Sequence, residues 1–313
     1  MTKSGMAIKA LAVPIFAFAL CSTTQAAARA FVSVTGSDAN PCTFTSPCRL
    51  FQHAHDVVAD MGEVIALTSG GYGTLIITKN VTISGVGVSA VASPNSTEPA
   101  ISIATAGITV VLRSISIRAF GAGTGGHGIS VTAVGNLHIE DCVISGFAGN
   151  GIHVNLAADG SYIFIKDTFT RNNSGAGIII LTTVGTVRAS IDNCRSERNN
   201  YGFFASLNSR VTINRSIASA SGDSGFLGFS NVSGTTSELS CEECVASNNN
   251  NGFAVNTVSS GAATIRVSHS TATNNAFGFV QFGTGVFNTL GNNLVRGNTS
   301  MDTTGTITTI TLQ

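Results

Sequence analysis

The sequence predicts an all-β fold: a single-stranded right-handed parallel β-helix of about eight or nine coils, preceded by a short capping helix. Two observations predict it. One is an internal repeat of apolar-x-apolar-x-x-small, a polar turn with Asn and Gly, and Gly followed by Ile or Phe; the other is strand-like alternation within each repeat. Successive copies lie 22 to 28 residues apart and centre on Cys142, Thr168, Cys194, Ser216, Cys244, Ser270 and Leu294.

Other repeat architectures do not fit this unit. Helical repeats would place apolar residues three and four positions apart, and a propeller blade needs about 40 residues or more. A parallel β-solenoid is therefore the predicted class.

The N-terminus has the features of a secretory signal peptide, predicted over residues 1–28. Lys3 and Lys9 precede an apolar run over residues 10–20, which is followed by small residues up to Ala28. No later segment supplies about 18 consecutive apolar residues, so no transmembrane segment is expected in the mature chain. The sequence predicts a secreted protein, extracellular, periplasmic or on the cell surface.

An N-terminal cap is predicted over residues 29–63. Cys42 and Cys48 enclose a short loop and are expected to form a disulfide, since disulfides persist in exported proteins. A helix is predicted over residues 47–61, ended by Gly62, with its polar side in solvent. That polar side carries His53, His55 and Asp56, and its apolar face is formed by Leu50, Phe51, Ala54, Val57, Val58 and Met61.

The β-helix itself is predicted over residues 64–313. Equivalent positions of successive coils should form columns along the axis, since paired strands lie about 4.8 Å apart. Cys142 and Cys194 are two coils apart and are predicted to stay unpaired, whereas a Cys241–Cys244 bridge is left open. Two columns are predicted to point inward: Ile129, Ile152, Ile178, Phe203, Phe226, Phe253 and Phe279, and Ile139, Ile165, Ile191, Ile213, Cys241 and Val267.

The composition restricts the partners. The chain has 16 basic and 16 acidic residues in 313, so it has no basic footprint for nucleic acid. It has no Trp and three Tyr, and most of its Phe residues fall in the inward columns. A tight aromatic sugar site is not expected, while a polar groove of Asn, Ser and Thr would suit a polysaccharide.

With these repeats and the opening over residues 36–42, the chain resembles the pectin-lyase-like superfamily, in particular bacterial secreted proteins with right-handed β-helix repeats. The resemblance implies the fold but not an activity, because such folds host lyases, hydrolases, adhesins and inert spikes. Gly126-His127-Gly128 resembles the Gly-His-Gly segment of polygalacturonases, which implies a catalytic role for His127. Glu140-Asp141-Cys142 resembles their Asp-Asp-Cys, but the order of the two segments is reversed and no Asn-Thr-Asp or Arg-Ile-Lys is present.

A line of polar residues precedes the small-residue column and forms the main candidate site. Asp141 and Asp167 should lie on neighbouring coils, with Arg215 near them. Two such carboxylates would bind Ca²⁺ or share a proton for acid catalysis. The set resembles the Ca²⁺-and-arginine arrangement of pectate lyases. The alternative is that these residues bond their own turn backbone.

The sequence favours an exported, non-catalytic protein that interacts with polysaccharide or forms part of the cell surface or envelope. The alternative is a polysaccharide lyase or glycoside hydrolase of the pectin-lyase-like superfamily that acts on an acidic polysaccharide. The oligomeric state does not follow from the sequence.

Overall fold

The computed structural model describes residues 1–2, 26–93, 97–119 and 126–311. The predicted signal peptide lies almost wholly outside the described residues. Within them, no helix has the length and apolar character needed to cross a membrane.

Two parallel sheets form the fold. The larger sheet contains 19 strands: β1 (Ala27–Val32), β2 (Val58–Ala66), β4 (Val81–Ser93), β6 (Thr109–Ala119), β8 (Asn136–Glu140), β9 (Val143–Ser145), β11 (Tyr162–Lys166), β12 (Phe169–Arg171), β14 (Val187–Asp192), β15 (Arg195–Glu197), β17 (Ser209–Asn214), β18 (Ile217–Ser219), β20 (Thr236–Glu242), β21 (Val245–Ser247), β23 (Ala262–Ser268), β24 (Thr271–Thr273), β26 (Val286–Thr289), β27 (Leu294–Val295) and β29 (Ile307–Thr309).

The smaller sheet contains 10 strands: β3 (Leu75–Ile77), β5 (Ile101–Ala104), β7 (Ile129–Ala133), β10 (Ile152–Leu156), β13 (Ala176–Thr182), β16 (Tyr201–Ser206), β19 (Ser224–Ser230), β22 (Asn251–Thr257), β25 (Phe277–Phe282) and β28 (Met301–Thr304). The one helix of the described residues is α1 (Phe51–Val57).

The chain winds as a parallel β-solenoid of about eight turns, as predicted. From β8 onward each regular coil places a main strand and a short strand in the larger sheet and one strand in the smaller sheet. The long strand β6 pairs with both β8 and β9 and so begins the regular part. Two less regular coils, β2–β3 and β4–β5, precede it.

The predicted inward columns are confirmed. Ile152 pairs in register with Ile129 on one side and Ile178 on the other, and Phe203, Phe226 and Phe253 continue the column. Every member is at most 2% exposed. Phe226 stacks on Phe203 and Phe253, with ring centroids 5.0 and 4.7 Å apart. The two columns together thus form one continuous apolar core along the axis.

Glycine lies at or next to the start of the seven strands of the smaller sheet from β7 to β25, because the coils meet closely there. A Cβ on Gly202 would lie 2.3 Å from the carbonyl oxygen of Gly225 and 2.8 Å from the Cβ of Ala218. These distances leave no room for a side chain, which explains why the Gly-Ile or Gly-Phe pair recurs in the repeat.

The corners are made by residues with left-handed backbone. Each main strand from β6 to β23 is followed by, or bends at, one such residue, and φ lies between 44 and 54° in Ser114, Asp141, Asp167, Asn193, Arg215, Glu243 and His269. The short strands from β12 to β24 end in the same way, with φ between 52 and 59° in Asn172, Arg198, Ala220, Asn248 and Asn274. Two single-residue corners therefore shape each coil.

The predicted helix over residues 47–61 is wrong in its bounds. Leu50 is extended, α1 ends at Val57, and Val58–Ala66 is the strand β2, which pairs with β1 and β4. Hydrogen bonding to two neighbouring strands outweighs the helical periodicity of this short segment. Gly62 permits close approach inside β2, where a Cβ would lie 2.9 Å from the carbonyl oxygen of Ala28. The predicted boundary at residues 63 and 64 falls inside this strand.

The prediction that His55 faces solvent is also wrong. Its side chain is 1% exposed, because α1 packs over the first coil. Nε2 accepts a hydrogen bond from the backbone N–H of Thr78 at 3.3 Å, and Nδ1 lies 3.1 Å from a carboxylate oxygen of Asp56. Burial lowers the pKa of His55, even though Asp56 acts in the opposite direction.

The structure confirms the predictions made for four of the cysteines. Cys42 and Cys48 form a disulfide, and Cys142 and Cys194 are buried and unpaired. Burial raises the pKa of both thiols to about 12. The pair left open, Cys241 and Cys244, is bridged across the corner at Glu243.

Candidate functional site

Asp141 and Asp167 occupy equivalent corners of adjacent coils, as the register of β8 and β11 requires. Their hydrogen bonds run in opposite directions along the axis. Asp141 accepts one from the hydroxyl of Ser114 on the preceding coil at 2.9 Å, and Asp167 accepts one from the amide of Asn193 on the following coil at 2.6 Å. Lys166 lies 3.6 Å from Asp167. Each carboxylate thus already has a hydrogen-bond partner at the equivalent corner of a neighbouring coil.

Arg215 is paired elsewhere. Its guanidinium lies 2.5 and 2.6 Å from the two carboxylate oxygens of Asp192, at the end of the preceding main strand. The described contacts therefore join Arg215 to Asp192 and do not join it to Asp141 or Asp167. Ca²⁺ binding and catalysis by this set stay predictions.

His127 lies at the start of a small-sheet coil beside His153, with ring centroids 4.3 Å apart. Its Nδ1 accepts a hydrogen bond from the backbone N–H of Asn150 at 2.9 Å. Burial lowers the pKa of His127. Burial and the nearby His127 lower the pKa of His153 to about 4. Both rings are thus held neutral in the neutral pH range, and a catalytic role of His127 stays a prediction.

A groove that the sequence analysis did not anticipate lies on the outer face of the smaller sheet. It has a volume of about 610 Å³ and crosses the strands β16, β19, β22, β25 and β28. Its floor is Leu227, Ala254 and Val280, an apolar cluster separate from the core. Five aromatic side chains line it: Tyr201, Phe204, Phe229, Phe277 and Phe282.

Strand alternation contains the signal for part of this groove. Because Phe203, Phe226 and Phe279 point inward, Phe204, Phe229 and Phe282 must point outward at odd offsets from them. Phe204 and Leu227 are in register, and Ala254 and Val280 continue that row. The small Ala254 leaves the depression between the aromatic residues.

The rim of the groove is polar. Asn251 donates to a carboxylate oxygen of Asp223 at 3.2 Å, and Ser224 donates to the same oxygen at 2.7 Å. Burial, and then the nearby Asp223 carboxylate, raise the pKa of Tyr201. The side chains of Asn250 and Asn256 have no hydrogen-bond partner within the described residues. Asp223 is the one carboxylate among the lining residues, and none of them is Lys, Arg or His.

Parallel coils of three strands around one apolar core define a class of protein, the right-handed parallel β-helix. Residues 127–300 match the family model of the right handed beta helix region, which is more than half of the chain. The protein belongs to this family.

Solved structures with the same fold include two of similar extent. The pectate lyase Pel9A superposes with a TM-score of 0.62 at 14% identity, over 86% of this chain and 78% of that one. The A-module of the mannuronan C-5 epimerase AlgE6 of Azotobacter vinelandii superposes with a TM-score of 0.63 at 13% identity, over 80% and 72%. These likenesses show the fold alone. No curated protein sequence matches the chain significantly.

Proposed function

We propose that this protein is an exported, non-catalytic polysaccharide-binding protein that holds an uncharged stretch of glycan in the groove of the smaller sheet. The observation that carries the proposal is the groove itself, an outward depression of about 610 Å³ with five aromatic side chains and a rim of amides. Its volume falls within the range of about 300–1,000 Å³ that is typical of ligand sites.

The lining matches the two kinds of surface that a sugar presents. The apolar C–H faces of sugar rings pack on flat aromatic side chains, and Phe204, Phe229 and Phe282 provide these along the strands. Sugar hydroxyls need donors and acceptors at the edges, which the unpartnered amides of Asn250 and Asn256 supply. An acyl chain would leave these amides unpaired, at a cost in binding free energy.

The charges favour an uncharged glycan and binding without hydrolysis. A polyanion would meet the Asp223 carboxylate with no cation in the lining to offset it. Glycoside hydrolysis generally uses a pair of carboxylates about 5 to 9.5 Å apart, and the groove offers one.

The structural neighbours add modest support. By their names, the pectate lyase and the mannuronan epimerase act on polysaccharides. The predicted signal peptide would carry the protein out of the cytoplasm. Such polymers are found outside it. Expression of the full chain, with mass analysis of the exported product, tests the cleavage predicted within residues 26–28.

Calorimetry with neutral oligosaccharides (cello-, xylo- and manno-oligosaccharides) tests the groove. We expect at least one series to bind, and we expect Phe204→Ala and Phe282→Ala each to weaken it about tenfold, equivalent to about 1.4 kcal/mol. Val184→Ala, on an exposed loop residue, is the matched control and should bind normally.

Two results would overturn the proposal. One is that none of the neutral oligosaccharide series binds. The other is that Val184→Ala weakens binding as much as Phe204→Ala and Phe282→Ala do. Incubation with neutral and acidic polysaccharides should yield neither new reducing ends nor unsaturated uronate absorbance. Either product would show that the protein is an enzyme.

A further inference from the structure

A second surface lies on the outer face of the larger sheet, on the strands β11, β14 and β17. Tyr162 and Phe164 point outward there and are 45% and 40% exposed, although both are large aromatic residues. The imidazole of His138, on the preceding coil, stacks on Phe164 with centroids 4.8 Å apart and planes 17° apart. These three rings form an exposed aromatic patch, here named the platform, beside a depression of about 230 Å³.

Guanidinium groups border the platform. Tyr162 is in register with Arg188, and Arg188 with Arg210, so the two arginines follow the tyrosine on successive coils. Both line the depression. Arg188 makes no ion pair within 4 Å among the described residues. Arg210 lies 3.6 Å from Glu238, which is already bound by Arg266 at 3.1 Å.

The charge balance of this surface is therefore positive. Three guanidinium groups face two carboxylates, Glu238 and Asp159, in a chain whose basic and acidic residues are equal in number. Backbone hydrogen bonds from Thr186 and Gly160 lower the pKa of Asp159, and the nearby charge of Arg188 lowers it further. A guanidinium binds a carboxylate through two parallel hydrogen bonds, and neighbouring strands hold these groups at a regular spacing. The surface offers stacking and bidentate anion recognition at the same place.

We propose that Tyr162, Phe164, Arg188 and Arg210 form a second binding site, which takes a glycan carrying carboxylate groups. The sugar ring lies against the aromatic platform while its carboxylate pairs with Arg188 or Arg210. This site lies on the other sheet from the groove and has the opposite charge preference. The protein would then hold an uncharged and an acidic glycan at once, on two faces of one rigid rod.

Single-stranded nucleic acid also combines stacking with negative charge. The surface supplies two incompletely neutralised cations, whereas nucleic-acid binding depends on cationic contacts along a run of phosphates. Acidic glycan is the occupant that the observations favour, and nucleic acid is kept as an outcome of the test.

The experiment uses two probes that share a backbone: cello-oligosaccharides, and the same oligomers oxidised at C6 to uronates. At low salt the oxidised probe should bind this site, and Arg188→Gln and Arg210→Gln should each weaken it about tenfold. Its affinity should fall as salt is added, because the contact is ionic. Arg296→Gln, which removes an equally charged but 80% exposed arginine near the C-terminus, should leave binding unchanged.

The groove variant separates the two proposals. Phe204→Ala should leave uronate binding intact, and Phe164→Ala should leave neutral-sugar binding intact. The second site is overturned if the oxidised probe does not bind, if Phe204→Ala abolishes its binding, if Arg296→Gln weakens it equally, or if single-stranded DNA binds more tightly. Unchanged melting temperatures show that the variants remain folded.

Discussion

At the scale of single residues, backbone conformation explains the polar line that precedes the small-residue column. Asp141, Asp167 and Asn193 have left-handed φ of 49 to 51°. Asp and Asn tolerate this conformation better than other non-glycine residues. Their presence at these three corners therefore has a backbone cause. Arg215 and Glu243 occupy the same conformation and have no such preference.

Asp141→Asn tests the predicted calcium site at this scale. We expect the free energy of unfolding to change by less than about 0.5 kcal/mol, because Asn adopts the same backbone conformation and can still accept the Ser114 hydrogen bond. Calorimetric titration of the wild type with CaCl₂ decides the metal prediction. A calcium site requires binding that both Asp141→Asn and Asp167→Asn abolish, and a wild type that shows no heat of binding contradicts it.

At the scale of structural elements, a ladder of buried asparagines ties the coils together after the second corner. Asn275 donates to Asn298 at 3.0 Å, and Asn249 donates to Asn275 at 2.9 Å. Asn173 and Asn199 form an equivalent rung at 3.0 Å. Ser221 interrupts the ladder between them, and its buried hydroxyl has no partner among the described residues.

Asn275→Ala should cost several kcal/mol of stability. The substitution removes hydrogen bonds to Asn298, to the carbonyl of Ala246 and from Asn249, and each buried group left unpaired costs about 1–3 kcal/mol. Urea unfolding measures the loss. Asn250→Ala, exposed on the equivalent turn of the preceding coil, should change stability by less than about 0.5 kcal/mol. An equal loss in the two variants would show that the ladder has no special role.

At the scale of the whole molecule, three histidines make stability depend on pH. Burial lowers the pKa of His55, His127 and His153, and that of His153 falls to about 4 with the nearby His127 as second cause. As pH falls through about 6.5, the unfolded chain binds protons that the folded chain does not, so the free energy of unfolding decreases. The hydrogen bond from Ser268 lowers the pKa of Glu242, so its contribution is lost only at lower pH.

We therefore expect the urea midpoint to fall steadily between pH 6.5 and pH 4.5. His153→Gln should flatten part of this dependence, because it removes the histidine whose pKa is lowered to about 4. A pH profile that is the same in the variant and in the wild type would show that His153 does not titrate in this window.

Patterns along the chain are enough to predict the repeat, the inward columns, the unpaired Cys142 and Cys194, and the coil count to within about one turn. These follow from local alternation and from a period that every coil shares, so a single register fixes them. The outward Phe204 and Phe229 were also accessible from the same alternation.

The side-chain contacts between coils become visible only once the chain is folded. The joining of Tyr201, Phe277 and Phe282 into one groove, the partner of Arg215, and the burial of His55 all depend on residues 20 or more positions apart. The N-terminal segment shows the same limit, because residues 58–61 continue the helical periodicity of the residues before them but form the start of β2, to which β1 and β4 supply backbone partners. The repeat does not specify which outward side chains pair across coils, and that pairing sets both the charge and the shape of each surface.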